Sequence, residues 1–562
     1  MSWKTRSLAA TLFVLTALTV SYVKREQAHG TPGEDGGSAP PTPTVNLTLN
    51  IMAEGLPVPA RVELRDANGV RYIAGDALLV GGHGEDIYEE LDLDEFLATL
   101  SRRFRNPYTE VDQCYSDGVS HFSVPAGTFT LRVFKGPEYR VYEDAFTLVE
   151  GDDVVKTAEL TRWVNMPLQG WHSSDGHLHI PRIVSEMNDV ASKWMRAEDI
   201  HVPNFLQMGS LERFFNSPQY AFGPDGEHEE AGTIIVSGQE QPRSFHFGHA
   251  IVLGGMTAIN FPGNYHLFSL FFQEAENQGA VAGYAHWGYN DFPETHGLIK
   301  DLGINSPVRI LEVGQDRWLH YKPWYDALNL GFRVTPTAGT DYPCIASIPG
   351  RERFYTKVNG SLSIASWLEG IRQGRTFVTS GPMLTLSVNG ADIGGEVFLD
   401  AAGTVDIQAT VRWDAAQDDI RALELVKNGE VVMTFPRREE ESIAFEIPDF
   451  RVDATSWLAV SAIGSKVGEN NDSGGHTGAI YVTIHGAPGL REQITARRQA
   501  WLWLQQLGDL KKRWGPDQIF WLSSKEIDPD APIEYWRRIQ PFVYQEIEEA
   551  ENFYNSLDPL EP

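Results

Sequence analysis

The chain is 562 residues long, more than one hydrophobic core usually organises, so several domains are expected. Its formal net charge of −30 repels nucleic acid and anionic lipid, which argues against a DNA or RNA partner and leaves the reaction type open. Fifteen tryptophans and a charged fraction of 22% exclude general disorder, and having only Cys114 and Cys344 excludes a disulfide scaffold while allowing one bridge or two free thiols.

Lys4 and Arg6 precede the apolar run Leu8 to Val23, the pattern of an export signal. Thr11, Thr16, Thr19 and Ser21 interrupt the run, it is short for a bilayer span of about 20 residues, and no A-x-A site follows. A cleaved signal and a retained anchor both fit residues 1–29. Either places the protein outside the cytoplasm, periplasmic or secreted, with a membrane touched only through that segment. The Gly/Pro/Ser-rich stretch 30–44 reads as a linker.

From 45 to 165 the pattern is short and strand-like, in Val45 to Ile51, Ala60 to Arg65 and Thr128 to Phe134. Asp66 to Gly69 and Pro125 to Gly127 sit where hairpin corners fall, which predicts an all-β sandwich. The acidic segment Asp86 to Glu110 carries helical spacing in Leu91, Phe96, Leu97 and Leu100 and reads as an insertion. Between 166 and 383 apolar strands alternate with amphipathic helices: Thr233 to Ser237, Ala280 to Ala285, Val308 to Val313 and Arg333 to Thr337 read as buried strands. Ser269 to Gln278 and Trp324 to Leu330 read as helices ended by Gly279 and Gly331. Repeated βα units of this kind predict a closed barrel. Alternation returns over 384–487, with turn signals at Asn389-Gly390 and Asn428-Gly429, predicting a second β-sandwich. The tail 488–562 is helical, and its stripe of Trp501, Leu502, Trp503, Leu504 and Leu507 reads as a face docked on the chain's own body.

The chemistry concentrates in Gly170 to Ile180. On an extended strand Asp175, His177 and His179 share one face, and two imidazoles spaced i, i+2 can hold one cation. A polar strand end is the plainer reading of this stretch alone. Ligands in α/β barrels collect at the carboxyl ends of the strands, and further metal-capable residues fall there. Glu240 follows Thr233 to Ser237, His249 begins the next strand, His286 ends Ala280 to Ala285, and Asp341 follows Arg333 to Thr337. Singly these read as a solvated charge, a polar cap and a turn residue. Together they form a nitrogen and oxygen ligand set suited to zinc, manganese or iron.

Five motifs in order carry a resemblance. Asp175-Gly-His-Leu-His179, Gly238-Gln-Glu240 with Gly248-His249, Gly283-Tyr-Ala-His286, Ala338-Gly-Thr-Asp341 and Gly374 to Pro382 look like the CehA/McbA-type metallohydrolases of the polymerase and histidinol phosphatase (PHP) superfamily. The resemblance implies an α/β fold with a distorted (β/α)7 PHP-type barrel, flanked here by two β-sandwich domains and a helical tail. It implies a hydrolase for an ester, amide, carbamate or phosphoester. It further implies that His177, His179 and Asp341 bind one divalent metal, that Glu240 bridges, and that His249 and His286 bind a second. Many relatives carry Thr-Asp-His where this chain has Asp199-Ile-His201, and Asp-x-His where it has Asp341-Tyr-Pro343. Both departures touch a third metal position, for which His201 is the candidate substitute.

Two cations sharing Glu240 are expected to lower the pKa of a bridging water toward ~7. Asp175 is a candidate for orienting an imidazole or for a structural hydrogen bond. Arg351 and Arg353 are candidates for holding an anionic substrate group or for surface salt bridges, and His320 and Tyr342 for proton donation. The substrate expected is a small molecule or a fragment of a polymer. The rival from another class is an exported glycan-binding or adhesion protein with an inactive barrel, suggested by the two sandwiches and the many tryptophans.

Overall fold

The computed structural model describes residues 44–78, 80, 113–209, 211, 214–285, 293–315, 318–344, 348–464, 474–525 and 531–562. The expected export segment, the linker up to residue 43 and the insertion Asp86 to Glu110 lie outside the described residues. The fold is mixed α/β, and Val45–Pro562 forms one compact unit. Among the described residues no helix is long and apolar enough to cross a membrane.

The N-terminal strands alternate as their sequences demand. In Ala60–Asp66 the residues Ala60, Val62 and Leu64 are buried, and in Gly127–Phe134 so are Phe129, Leu131 and Val133. These two strands pair antiparallel in one sheet, while Thr44–Ala53 pairs with Asp153–Leu160 in another. Apolar side chains of both sheets enter a common core. The corner at Asp66 closes a hairpin as expected, with Asp66 Oδ1 accepting from the amides of Asn68 (2.9 Å) and Val70 (2.8 Å). The turn Pro125 to Gly127 differs: it carries the chain from Val119–Pro125, in the sheet of Thr44–Ala53, to Gly127–Phe134, in the sheet of Ala60–Asp66. Local turn chemistry specifies a reversal, but which sheet receives the next strand is decided by the core both sheets must cover.

The central region builds a ring of strands around the predicted site. Asn204–Gly209 runs parallel to Thr233–Ser244, which forms an antiparallel hairpin with Gly248–Leu253. That strand pairs antiparallel with Val281–Tyr284, and parallel strands Ile310–Gln315 and Thr335–Ala338 follow. Leu178 then forms parallel bridges to Phe205 at one end of this path and to Tyr342, just beyond Thr335–Ala338, at the other. Helices Phe268–Asn277 and Lys322–Asn329 fall close to the predicted spans and end in glycines at φ 74°. After the first, Gly279 N donates to Glu276 O and Ala280 N to Ala275 O, the double closure that a left-handed residue permits.

The strand Trp171–Ser174, which leads into the histidine motif, belongs to a different sheet. It pairs with Arg353–Lys357, and the sheet continues through Thr376–Thr379 into Gly474–Thr477, Ser456–Gly464, Ile420–Lys427 and Glu430–Pro436. This sheet and the one containing Met383–Val388, Gly403–Arg412 and Ser442–Val452 enclose a shared core. Asn389-Gly390 and Asn428-Gly429 are both left-handed pairs at hairpin turns, as predicted. In the tail helix Ile494–Arg513, Ala496, Ala500, Trp503, Leu507 and Leu510 are buried at helical spacing and join the core beneath the ring of strands. Leu504, partly buried, packs against the same core, whereas Leu502 is exposed and Trp501 only half-buried.

Candidate metal centre

The chain leaves the sheet after Ser174 and enters the ring, where His177 and His179 turn their Nε2 atoms toward each other at 3.2 Å. Asp341 Oδ1 lies 3.5 Å from His177 Nε2 and 3.2 Å from His179 Nε2. Glu240 Oε2 stands 3.3 Å from His179 Nε2 and 4.0 Å from His177 Nε2. All four side chains are buried. Two ligands of one tetrahedral cation with bonds near 2.05 Å lie about 3.3 Å apart, so the spacing of His177, His179 and Asp341 is that of a first coordination shell. Among the described residues these three form the metal-capable cluster.

The outer nitrogens fix the tautomers. His177 Nδ1 faces the carboxylate of Glu312 at 3.0 and 3.2 Å, an acceptor only, so Nδ1 carries the proton. His179 Nδ1 faces the carbonyl of Leu206 at 3.2 Å, with Ser217 Oγ also at 3.2 Å and already donating to the same carbonyl. With Nδ1 committed this way, each imidazole turns Nε2 toward the other and toward two carboxylates. Four acceptors converging in a buried space repel unless a positive charge sits among them. Burial lowers the basicity of His179, yet Asp341 and Glu240 bring it up to about 10. Burial would raise Glu240, yet Arg243, His249 and His179 hold it well below the usual carboxylate range. The donor set fits a divalent cation.

Asp341 is held in the left-handed region, φ 50°, a conformation that costs a non-glycine residue energy and persists because its surroundings enforce it. Asp175 supplies much of that enforcement. Its Oδ1 accepts from the amides of His177 (3.0 Å) and Thr340 (3.1 Å), and its Oδ2 from Thr340 Oγ1 (2.6 Å) and the Gly350 amide (2.7 Å). Asp175 therefore clamps both ligand-bearing segments through the backbone rather than orienting an imidazole. Burial pushes it up to about 6 against the pull of these donors. Gly339 completes the arrangement: a Cβ there would lie 2.4 Å from His177 Cβ and 2.6 Å from Glu312 Oε1.

On the far side of Glu240, His249 Nδ1 meets Oε1 at 2.6 Å, so the carboxylate connects His179 to His249. Arg243 Nε lies 3.6 Å from Glu240 Oε2. His286, expected to ligate with His249, lies outside the described residues. His201 does not join the cluster. Its Nδ1 bonds Ser173 Oγ at 2.7 Å, its ring sits edge-on to His172 at 5.4 Å, and burial lowers it to about 4.

Arg353 is buried and committed to the carbonyls of Gly350, Glu198 and Asp199 at 2.5, 3.0 and 3.3 Å, so it braces the loop at the wall of a cleft that it lines together with Arg351. Arg351, 3.5 Å from Glu352, lines a cleft of about 450 Å³ between residues of both β regions, and the lining of that cleft includes no candidate metal ligand. The group that could hold a metal is defined by the geometry of His177, His179 and Asp341, and the cleft is a separate feature. Tyr342 turns its ring toward Trp194, 5.2 Å away in the N-terminal core, while its carbonyl accepts from the His179 amide at 2.7 Å. His320 is partly buried, which lowers its basicity, and its amide donates to Val313 O at 2.8 Å. Cys114 and Cys344 are both free thiols, the first buried and the second exposed.

Two residues of the site, Glu312 and Arg243, escape a reading by motif. Glu312 had a visible signal, an acid inside the buried strand Ile310–Gln315, where a carboxylate needs a partner. Arg243 had none, since it is placed by the path of the chain after Glu240. Comparison with known proteins finds no match to a family model, to a characterised protein or to a solved structure.

Proposed function

We propose that this chain is an exported metal-dependent hydrolase of the CehA/McbA type, its ring of strands serving as a distorted (β/α)7 PHP-type barrel. The observation that carries the reading is the convergence of two tautomer-locked imidazoles on two buried carboxylates, His177 and His179 on Asp341 and Glu240. Closure of the ring through Leu178 supports the barrel. In this reading His177, His179 and Asp341 hold one cation, Glu240 reaches toward a second, and His249 stands on that side.

Divalent cations bound here supply Lewis acidity for a water molecule and for the substrate oxygen. The chain's own residues do the rest. Glu312 keeps the proton on His177 Nδ1 and so keeps Nε2 a ligand. Asp175 fixes the distance between the histidine segment and Asp341. Arg243 places a guanidinium at the edge of the carboxylate cluster, where it can meet the developing negative charge of an acyl or phosphoryl group. This gives Arg243 the anion-binding role first expected of Arg351 and Arg353.

Purified full-length protein should contain close to two divalent metals per chain and should hydrolyse chromogenic phosphoesters, carboxyl esters or carbamates with loss of activity in chelator. A well-folded protein that neither contains nor takes up metal would overturn the reading.

A further inference from the structure

The cleft lined by Arg351 and Arg353 has two further arginines in its wall, Arg61 and Arg132. Alternation along Ala60–Asp66 and Gly127–Phe134 turns Val62, Leu64, Leu131 and Val133 into the sandwich core, so Arg61, Arg132 and Phe134 come out on the other face. Register sets Arg61 opposite Phe134, and both guanidiniums lie on that ring, with Arg61 Cζ 4.5 Å and Arg132 Cζ 4.9 Å from its centre. Arg61 spends Nε on Glu198 and Nη1 on Gln113, Arg132 spends Nε on Glu143, and Arg353 spends Nε and Nη1 on carbonyls. Among the described residues Nη2 of all three has no hydrogen-bond partner, and no ion pair reaches Arg353, which is buried. A guanidinium cannot shed its charge, so one held in a cleft wall without a counter-ion calls for an anion. Three carboxylates share the lining, but Glu198 is occupied by Arg61 at 2.7 Å and by Tyr115 Oη at 2.6 Å, Asp419 pairs with Arg437, and Asp418 packs against Gly381, where a Cβ would collide with it. The balance is cationic, on a chain whose net charge of −30 repels anions elsewhere.

We propose that this cleft is a binding site for a small organic acid, whose carboxylate, sulfate or phosphate group is held by Arg61, Arg132, Arg351 and Arg353. A volume of about 450 Å³ is that of a small-molecule site and far exceeds one inorganic ion, so the ligand carries an organic body as well as its anionic group. The guanidinium fork matches the paired oxygens of such a group. Arg353 and Arg61 are fixed before the ligand arrives, one by carbonyls and the other by Glu198, which spares the entropy of ordering them. The backbone of the wall is equally set. Gly136 and Gly350 are left-handed at φ 59° and 68°, and a Cβ on either would lie 2.5 Å from Glu198 O or from Ile200 Cδ1, so only glycine lets these segments approach so closely. No candidate metal ligand lines the cleft, and the proposal does not rest on the metal-centre reading.

The test titrates the full-length protein by calorimetry, at constant ionic strength, with malate, glucuronate and glycerophosphate, and with glucose as the uncharged reference. Saturable binding of at least one acid is expected, and none of glucose. Arg132→Gln and Arg351→Gln replace the two partly exposed members of the site, so both variants should keep the wild-type melting temperature, and each should weaken that binding about tenfold. Protein stripped of metal by chelator and then dialysed should bind the acid as tightly as before. Binding of none of the three acids, equal affinity for glucose, or affinity unchanged in both variants overturns the assignment. So does binding that disappears with the metal, which would place the acid on the buried histidine centre. A protein found to hold no metal would overturn the metal-centre reading alone and leave this site standing.

Discussion

Glu312 acts on the candidate centre without touching the cation position, because its carboxylate decides which nitrogen of His177 carries the proton. Glu312→Ala is expected to lower zinc affinity by about 10- to 100-fold while the protein stays folded, measured by competition with a chromophoric chelator. Unchanged affinity would remove the tautomer lock from the account. Glu240→Gln should reduce metal content more than it reduces stability, because the amide keeps the shape but loses the charge that faces both His179 and His249; equal occupancy in the variant would count against the bridging role. His476 lies outside the centre and gives a cleaner view of protonation. It is fully buried, its Nδ1 faces Thr477 O at 2.7 Å, its Nε2 meets Tyr325 Oη at 2.6 Å, and burial lowers it to about 4. The unfolded chain takes up this proton near pH 6.5 and the folded chain only near 4, so stability falls as pH drops through that window. His476→Gln should show a shallower acid slope between pH 6.5 and 4 in denaturant titrations, and a slope as steep as that of the wild type would assign the effect elsewhere.

At the scale of elements, the hairpin of Thr233–Ser244 and Gly248–Leu253 carries Glu240 and His249, and the tail buttresses its turn. Phe247 stacks on Trp514 at 5.2 Å and 17°, and His246 Nε2 bonds the carbonyl of Leu522 at 3.2 Å. Trp514 is completely buried, so Trp514→Ala should cost about 3–5 kcal/mol by urea denaturation. A loss within experimental error would show that the tail rests loosely on the hairpin. The hairpin itself follows from apolar runs that the sequence displays, and so does the tail helix. Their meeting does not, because the stripe Ala496, Ala500, Trp503, Leu507 and Leu510 says that a face is buried but not against what.

At the scale of the whole molecule, one core takes residues from the ring of strands, the helices around it and the tail. Buried Lys300 and Asp301 and half-buried Glu546 join helix Pro293–Gly303 to the tail helix Ile533–Ser556, with Lys300 Nζ 2.5 Å from each carboxylate. Leaving such charges unpaired is expensive, so deletion of the tail after residue 487 should yield insoluble or unfolded protein rather than a trimmed, folded ring of strands. A soluble truncated protein with wild-type zinc content would contradict this. Zinc at about 100 times its dissociation constant should stabilise the full chain by roughly 2.7 kcal/mol, read as a higher melting temperature that chelator reverses.

By itself the sequence determined the alternation of the sandwich strands, the helix ends at Gly279 and Gly331, the left-handed turns at Asn389-Gly390 and Asn428-Gly429, and the candidate ligands His177, His179, Glu240, His249 and Asp341. Each depends on residues near one another in the chain or on side-chain chemistry that needs no partner to be recognised. Only the tertiary structure decided that Asp175 clamps Thr340 and Gly350 rather than an imidazole, that Glu312 sets the tautomer of His177, that Arg353 braces a loop, and that His201 belongs to Ser173. These outcomes join residues 28 to 175 positions apart, and the choice among the partners a buried polar group could take is made by packing that no local pattern encodes.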